Sequence, residues 1–282
     1  MQTIKTLREI AQSGGDSIEQ ELSDQCRLLW GDNRPSRYLI VIPAYNEADS
    51  LPYVASRIPK SIHGIAPTVL VIDDGSTDQT AAVAKNLGLN TISSPVNRGQ
   101  GASLRSGYLI AINFDFSAVA IVDADGQWDP ADLELVMTPI IEGRAEITQG
   151  SRSLGETHVG DAFRDLGVVF FAKLISVVTR TQVTDTSSGI RAMSVGILEK
   201  IRLCQPQYQS SELLISALFA GGRLVEIPVV MSPRFAGSTK KGNNLIYAFS
   251  YAKVVIGTSL REASIHRLVR RQRAKARIIG TA

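Results

Sequence analysis

Three short segments concentrate acidic residues where an α/β chain does chemistry: Pro43-Ala-Tyr-Asn46-Glu47, Asp73-Asp74-Gly75-Ser76 and Asp123-Ala-Asp125-Gly126. Each follows an apolar run, and in an open parallel sheet ligands bind beyond the carboxyl ends of such strands. Glu47, Asp73, Asp74, Asp123 and Asp125, gathered at one sheet edge, repel one another unless a cation sits among them. Mg²⁺ or Mn²⁺ answers that need, because these ions take one or two protein carboxylates together with the phosphate oxygens of a substrate. An Asn or Ser after a strand is also an ordinary helix cap, and for Asn46 and Ser76 both readings stay open. For Asp123 and Asp125 capping is the poorer explanation, since Asp129, followed by Pro130, is placed to cap the next helix.

Spacing excludes two competing chemistries. A dinucleotide-binding enzyme puts Gly-x-Gly-x-x-Gly directly after its first strand, where this chain has Pro43-Ala-Tyr-Asn-Glu47. Gly99-Gln-Gly101 comes later, and Gly107 follows it at the wrong interval. No phosphate loop ending in Gly-Lys-Ser/Thr occurs. His63, His158 and His266 have no metal-ligand spacing, and Cys26 and Cys204 are too few and too far apart for a zinc site or a disulfide framework.

The elements that must position these residues are legible from Tyr38 onward. Apolar runs at 38–42, 68–72, 91–92, 118–122 and 146–148 alternate with stretches long enough for crossover helices. Three of them hardly alternate in polarity, as expected of strands covered on both faces, so the fold class is α/β with a doubly wound, mostly parallel sheet. Ser76 and Gln79 have capping-box spacing for the helix after the second strand. Beyond Gly150 the spacing predicts helices near 161–179 and 211–220 and a strand near 224–230. We expect an N-terminal helical extension over 1–36, a main domain over 37–257 and a basic C-terminal tail over 258–282.

Composition narrows the class. With 282 residues, 44% hydrophobic and 20% charged, the chain is long enough for one large α/β domain and too apolar for disorder. A net charge of +3 argues against a dedicated nucleic-acid binder. That charge is unevenly placed: residues 261–282 carry seven bases and one acid, leaving 23 bases against 26 acids elsewhere. No apolar window reaches the ~18 residues of a membrane span.

Taken together, Ile42-Pro-Ala-Tyr-Asn-Glu47, Val71-Ile-Asp-Asp-Gly-Ser-Thr-Asp78, Asn97-Arg-Gly-Gln-Gly101 and Val122-Asp-Ala-Asp-Gly-Gln127 resemble the ordered motifs of the family-two glycosyltransferases, which have the GT-A fold. Gly150-Ser-Arg152, Asp185-Thr-Ser-Ser-Gly-Ile-Arg191, Glu226-Ile-Pro-Val and Arg234-Phe-Ala-Gly-Ser-Thr-Lys240 resemble the branch that acts on polyprenyl phosphates, the dolichyl-phosphate mannose and glucose synthases. The resemblance implies a UDP- or GDP-sugar donor met by Pro43, Tyr45, Glu47, Asp74, Gly101, Asp123, Ala124, Arg191, Arg234 and Lys240. It implies a metal-dependent reaction, with Asp125 binding Mg²⁺ or Mn²⁺ directly and Asp123 serving the ribose or the metal through water. Arg234 and Lys240 are implied as the basic residues that close over the diphosphate.

The acceptor turns on proton affinity. A hydroxyl needs a general base, whereas a phosphate monoester, with a second pKa near ~6, is already largely dianionic at neutral pH. In this family an acidic pair commonly supplies a base for hydroxyl acceptors. Here Ser210-Ser211-Glu212-Leu213 offers Glu212 alone, as base, donor-site residue or helix cap. A phosphate acceptor needs cations instead, and Arg152, then Arg191, are the candidates. The expected activity is therefore inverting sugar transfer to polyprenyl phosphate at the cytoplasmic membrane face. The basic tail would serve as a peripheral anchor to anionic headgroups. The alternatives are a hydroxyl acceptor with Glu212 as base, and a catalytically silent nucleotide-sugar-binding scaffold.

Overall fold

A computed structural model of the protein describes residues 4–159, 162–205, 209–236 and 244–279. Two helices, α1 (Leu7–Ser13) and α2 (Ser17–Trp30), precede the sheet. Strand and helix then alternate through β1 (Tyr38–Ala44), α3 (Leu51–Arg57), β2 (Thr68–Asp73), α4 (Thr80–Asn86), β3 (Asn90–Ser93), α5 (Gln100–Asn113), β4 (Ala118–Val122) and α6 (Leu133–Ile141). The second half runs β5 (Ile147–Thr157), α7 (Ala162–Thr179), β6 (Ile190–Ser194), α8 (Val195–Leu198), α9 (Gln209–Phe219), β7 (Leu224–Met231) and α10 (Asn244–Ile279).

The seven strands form one sheet in the order β3-β2-β1-β4-β6-β5-β7. β1 pairs parallel with both β2 and β4, so the chain reverses its direction of travel across the sheet between them. The carboxyl ends of β1 and β4 therefore flank the switch point where ligands bind in sheets of this kind. β6 is antiparallel to β4 and β5, whereas β5 and β7 are parallel. β6 was not anticipated: Ile190-Arg-Ala-Met-Ser194 has one β-branched residue and an arginine at its second position, so it lacks the apolar run that marks the other inner strands.

Every residue of β1 and β4 is buried, because both faces of the sheet are covered. Leu39 and Val41 enter a core built with α1, α2, α5, α9 and α10, while Tyr38, Ile40 and Ile42 enter a second core with α3 and α6. Asp129 caps the turn that leads into α6, accepting from Ala131 N with Pro130 behind it, as its spacing indicates. The Ser76–Gln79 expectation fails. α4 starts at Thr80 with no side-chain cap, and the Ser76 hydroxyl instead accepts the Asn46 N–H at 2.9 Å.

α1 and α2 are built into the body. Leu7, Leu22 and Cys26 are buried in the first core, and burial pushes the Cys26 thiol up to about 12. The Gln25 amide pairs with both backbone groups of Ser93 at 3.0 and 2.9 Å, closing the free edge of β3. α10 is continuous for 36 residues and joins the apolar 245–257 segment to the basic one that follows. Among the described residues no helix is long and apolar enough to cross a membrane.

Candidate functional site

The loops after β1, β2 and β3 are stitched to one another before any ligand is considered. Asn46 adopts a left-handed backbone (φ 52), and its side-chain oxygen accepts Thr77 N at 2.8 Å. Glu47 N donates to Thr80 Oγ1 at 2.8 Å, and Asp74 N donates to Ala44 O at 2.9 Å. Neither Asn46 nor Ser76 caps a helix; both clasp one strand-end loop to its neighbour. Gly75 is required here: at φ 72, a Cβ would lie 2.7 Å from the Val96 carbonyl carbon. Pro43 stays within β1, opposite Ile72, and Tyr45 opens the loop that follows.

Asp74 is buried at the centre of this arrangement. Its carboxylate accepts Arg98 N at 3.1 Å and Gly99 N at 2.7 Å, so it fixes the turn leading into α5, where Gly101 is buried in the first helical turn. Arg98 reaches on to Asp16 at 3.1 Å, and Arg105 bonds Glu19 at 2.5 Å. The N-terminal helix thus braces the same turn from outside, through partners more than 80 residues apart that sequence spacing could not reveal.

At the end of β4, Asp123 N donates to Gly189 O at 3.0 Å, and Oδ1 accepts the Gln100 amide at 2.8 Å. A Cβ on Gly189 would come within 2.1 Å of Asp123 Oδ2, so only glycine lets this carboxylate sit against the β6 entry. Ala124 is buried beneath the turn. Asp125 Oδ1 accepts Gln127 N at 3.0 Å, and its backbone carbonyl accepts Phe235 N at 3.0 Å. Asp125 Oδ2 faces Arg234 Nη1 at 3.0 Å, while Arg234 Nη2 bonds Glu47. The Phe235 ring stacks on Tyr53 at 4.6 Å, which lays the post-β7 loop across the carboxyl ends of β1 and β4. Arg234 thereby bridges Glu47, expected like itself at the donor, and Asp125, expected as the metal ligand, from three separate segments. Lys240 lies outside the described residues.

The charge expected among the carboxylates is present as a guanidinium. Arg234 is about one-fifth exposed, and its Nε is buried without a hydrogen-bond partner among the described residues. Among those residues no group of three or more His, Cys, Asp or Glu is arranged to hold a metal. Asp123 and Asp125 nevertheless fit a divalent ion that draws its remaining ligands from phosphate and water, since both are hard oxygen donors two residues apart. Arg234 marks where positive charge is wanted, because it already neutralises Asp125 Oδ2.

A second buried centre adjoins this one. Arg152, on β5, forms a fork with Asp185, Nε–Oδ2 2.7 Å and Nη2–Oδ1 3.1 Å, and also bonds Ser187 Oγ at 2.8 Å. Its guanidinium lies over the Trp128 ring at 5.3 Å, three residues beyond Asp125. Glu226 accepts Thr184 N and Asp185 N at 2.8 and 3.0 Å, holding the loop in place. Arg191 is buried in β6 and donates to Ser188 O and to Ser210 Oγ, the latter at 2.7 Å.

Glu212 is fully buried in α9. It accepts Cys204 N and Gln205 N at 3.0 and 2.9 Å and pairs with Arg261 of α10 at 2.7 Å. Burial, then the neighbouring Glu212 charge, pushes the Cys204 thiol up to about 11, against the opposing pull of Arg261. These contacts fasten α9, α10 and the 201–205 segment together, and each Glu212 oxygen already accepts from a donor.

Comparison with known proteins gives a consistent result. The model of glycosyl transferase family 2 matches residues 39–202, from β1 to just beyond α8. A polyprenol monophosphomannose synthase of Mycolicibacterium smegmatis is 30% identical over 228 residues, covering 75% of this chain and 84% of that protein. A dolichyl-phosphate hexose transferase of Haloferax volcanii is 28% identical over 201 residues, covering 71% and 85% respectively. Among solved structures, glucosyl-3-phosphoglycerate synthase of Mycobacterium tuberculosis in complex with Mn²⁺ and uridine-diphosphate-glucose superimposes with a TM-score of 0.61 at 20% identity, covering 86% of this chain and 82% of that one. That last likeness is one of fold.

Proposed function

Because the chain belongs to glycosyl transferase family 2 and has the GT-A fold, we propose that it transfers a sugar from a nucleoside-diphosphate sugar to polyprenyl phosphate, with inversion, at the cytoplasmic face of a membrane. The observation that carries this reading is the Glu47–Arg234–Asp125 contact at the switch point of the sheet. It joins acidic groups suited to a cation and a base suited to a diphosphate in one place, and two relatives bear the names of polyprenol- and dolichyl-phosphate sugar transferases.

The donor lies across the carboxyl ends of β1 and β4. The Asp74-anchored turn and Glu47 face its nucleoside, while Gly101 and Ala124 allow close approach of the backbone. When bound, a divalent cation at Asp125, with Asp123 directly or through water, supplies positive charge that offsets charge developing on the diphosphate. Arg234 turns from the two carboxylates to the diphosphate oxygens, joined by Lys240, and so stabilises the departing group. An oxygen of the acceptor phosphate forms the new bond at the anomeric carbon as the bond to the donor diphosphate breaks. An α-linked donor thus gives a β-linked lipid phosphosugar. No proton needs to leave the dianionic nucleophile, so this route requires no base from Glu212. Arg152 and Arg191 are the cations for the acceptor phosphate, which shares the Arg152 guanidinium with Asp185. The basic residues from Arg267 to Arg277 draw the protein to anionic lipid, while Arg261, counted with them from the sequence, is instead held inside by Glu212 and Glu262.

The test is transfer and donor hydrolysis across a panel of UDP- and GDP-sugars, with Mn²⁺ or Mg²⁺, with and without polyprenyl phosphate. We expect one nucleotide class to be turned over, with metal, into a lipid-linked product. No turnover of any donor under these conditions would contradict the proposal.

A further inference from the structure

Helices α7 and α10 pack together through Phe171 and Tyr251, whose rings are 4.7 Å apart, and bury Ile175 and Val255 in the core. Among the described residues nothing packs over the exposed side chains of their outer faces. On α7 the exposed residues Leu166, Val169, Phe170, Lys173 and Val177 recur at helical spacing and form one stripe. On α10 the same holds for Phe249, Lys253, Ile256, Leu260 and Arg267. Phe249 is 75% exposed, Val177 76% and Leu166 70%. Of 17 large apolar side chains exposed among the described residues, eight lie on these two helices. Singly scattered apolar residues are normal on a protein surface, but a cluster of this kind marks a contact.

We propose that the paired outer faces of α7 and α10 are a lipid-contact surface that lies in the interface of an anionic bilayer. Leu166, Phe170, Phe249 and Leu260 enter the acyl boundary, and Lys173 and Lys253 reach to the headgroups. The inference rests on the lipid-phosphate reading above and names the surface through which that lipid is met. Charge selects a bilayer over a second copy of the chain. Each stripe has a lysine among its apolar residues, and none of its exposed residues named here is acidic. Two such faces pressed together would oppose lysine to lysine. The one acid of α10, Glu262, is buried against Arg261. The mixture of exposed aromatic and aliphatic residues with basic side chains is that of helices lying in the interface plane.

The surface is also joined to the proposed acceptor cations. Tyr251, on the inner side of α10, donates its hydroxyl to Thr186 O at 3.1 Å and to Thr186 Oγ1 at 2.7 Å. The preceding residue, Asp185, holds Arg152. Tyr251 thus ties the α7–α10 layer to the loop that holds Arg152.

The experiment uses the full chain and sedimentation with vesicles of phosphatidylcholine containing phosphatidylglycerol, at low salt. The L166S/F170S/F249S/L260S variant should partition at least tenfold more weakly than the parent. Transfer to a short-chain, water-soluble prenyl phosphate should be unchanged, because none of the four side chains touches the site. The K173E/K253E variant should lose affinity for the anionic vesicles and not for pure phosphatidylcholine. Undiminished partitioning of the four-serine variant overturns the inference. So does a parent dimer, seen by sedimentation velocity without lipid, that those substitutions dissolve. Vesicle binding is read without catalysis. Absence of transfer to either acceptor would therefore count against the proposed function, while a parent that transfers sugar to the short acceptor but never binds vesicles would count against this surface alone.

Discussion

Replacing Glu212 by Gln separates a structural carboxylate from a catalytic one. Glu212 is fully buried, its Arg261 partner is 15% exposed at the side chain, and the two meet at 2.7 Å. Loss of one partner of a buried pair costs roughly 3–5 kcal/mol, and the partial exposure of Arg261 puts the expectation near the lower figure. Gln also turns an N–H₂ toward Cys204 N, Gln205 N or Arg261, all of which are donors. For a chain of this size, a loss of about 3 kcal/mol lowers the melting temperature by roughly 6–12 °C. The assay pairs thermal unfolding with the rate of transfer to a soluble prenyl phosphate, measured well below the melting transition. The expected result is a marked fall in Tm with a kcat within a few-fold of the parent. A kcat reduced by two or more orders of magnitude at unchanged Tm would instead make Glu212 a base.

Three further outcomes follow from particular contacts. In the proposed site Arg234 and a divalent ion would compete for Asp125 Oδ2, so Arg234→Ala should tighten Mn²⁺ binding without donor by about fivefold, the equivalent of ~1 kcal/mol for a partly exposed pair, while weakening donor turnover. Calorimetric titration reads the first effect, and unchanged or weaker Mn²⁺ binding would contradict it. Asp16→Asn removes the anchor of Arg98 and should raise the donor KM several-fold with little change in kcat; an unchanged KM would separate the N-terminal helices from the donor turn. The Cys204 thiol, pushed up to about 11, stays protonated at neutral pH, and its alkylation rate should climb about tenfold per pH unit toward that value. A plateau below pH 9 would show that Glu212 and burial do not hold the proton there.

Strands β1, β2 and β4 were legible because their runs are apolar on both faces, and the acidic residues that follow them point to the site. Asp123-Ala-Asp125 stood out because Asp129 already accounts for the next cap, and Asp129 does accept from Ala131 N. What escaped was set by tertiary contact. β6 carries a buried arginine that Ser210 and a backbone carbonyl accommodate, so its sequence does not read as a strand. Ser76 has the spacing of a cap, yet its hydroxyl bonds the β1 loop. The meeting of Arg234 with Asp125 spans 109 positions, and only the resemblance placed the arginine near the donor. Nothing in the local pattern of Asp16 signals that it braces the acidic loops, and Arg98 and Gln100 stood out only as part of the 97–101 motif that carries the resemblance.

The proposed reaction is metal-assisted transfer to a phosphate rather than to a hydroxyl. Its most direct measurement is mass analysis of products formed from the preferred nucleotide sugar by the parent and by Asp125→Ala, each offered polyprenyl phosphate and polyprenol together with Mn²⁺. The parent should form the polyprenyl-phosphate sugar and no polyprenyl glycoside, chelation should abolish the product, and folded Asp125→Ala should form none. A polyprenyl glycoside as the main product, or undiminished transfer by Asp125→Ala, would contradict it.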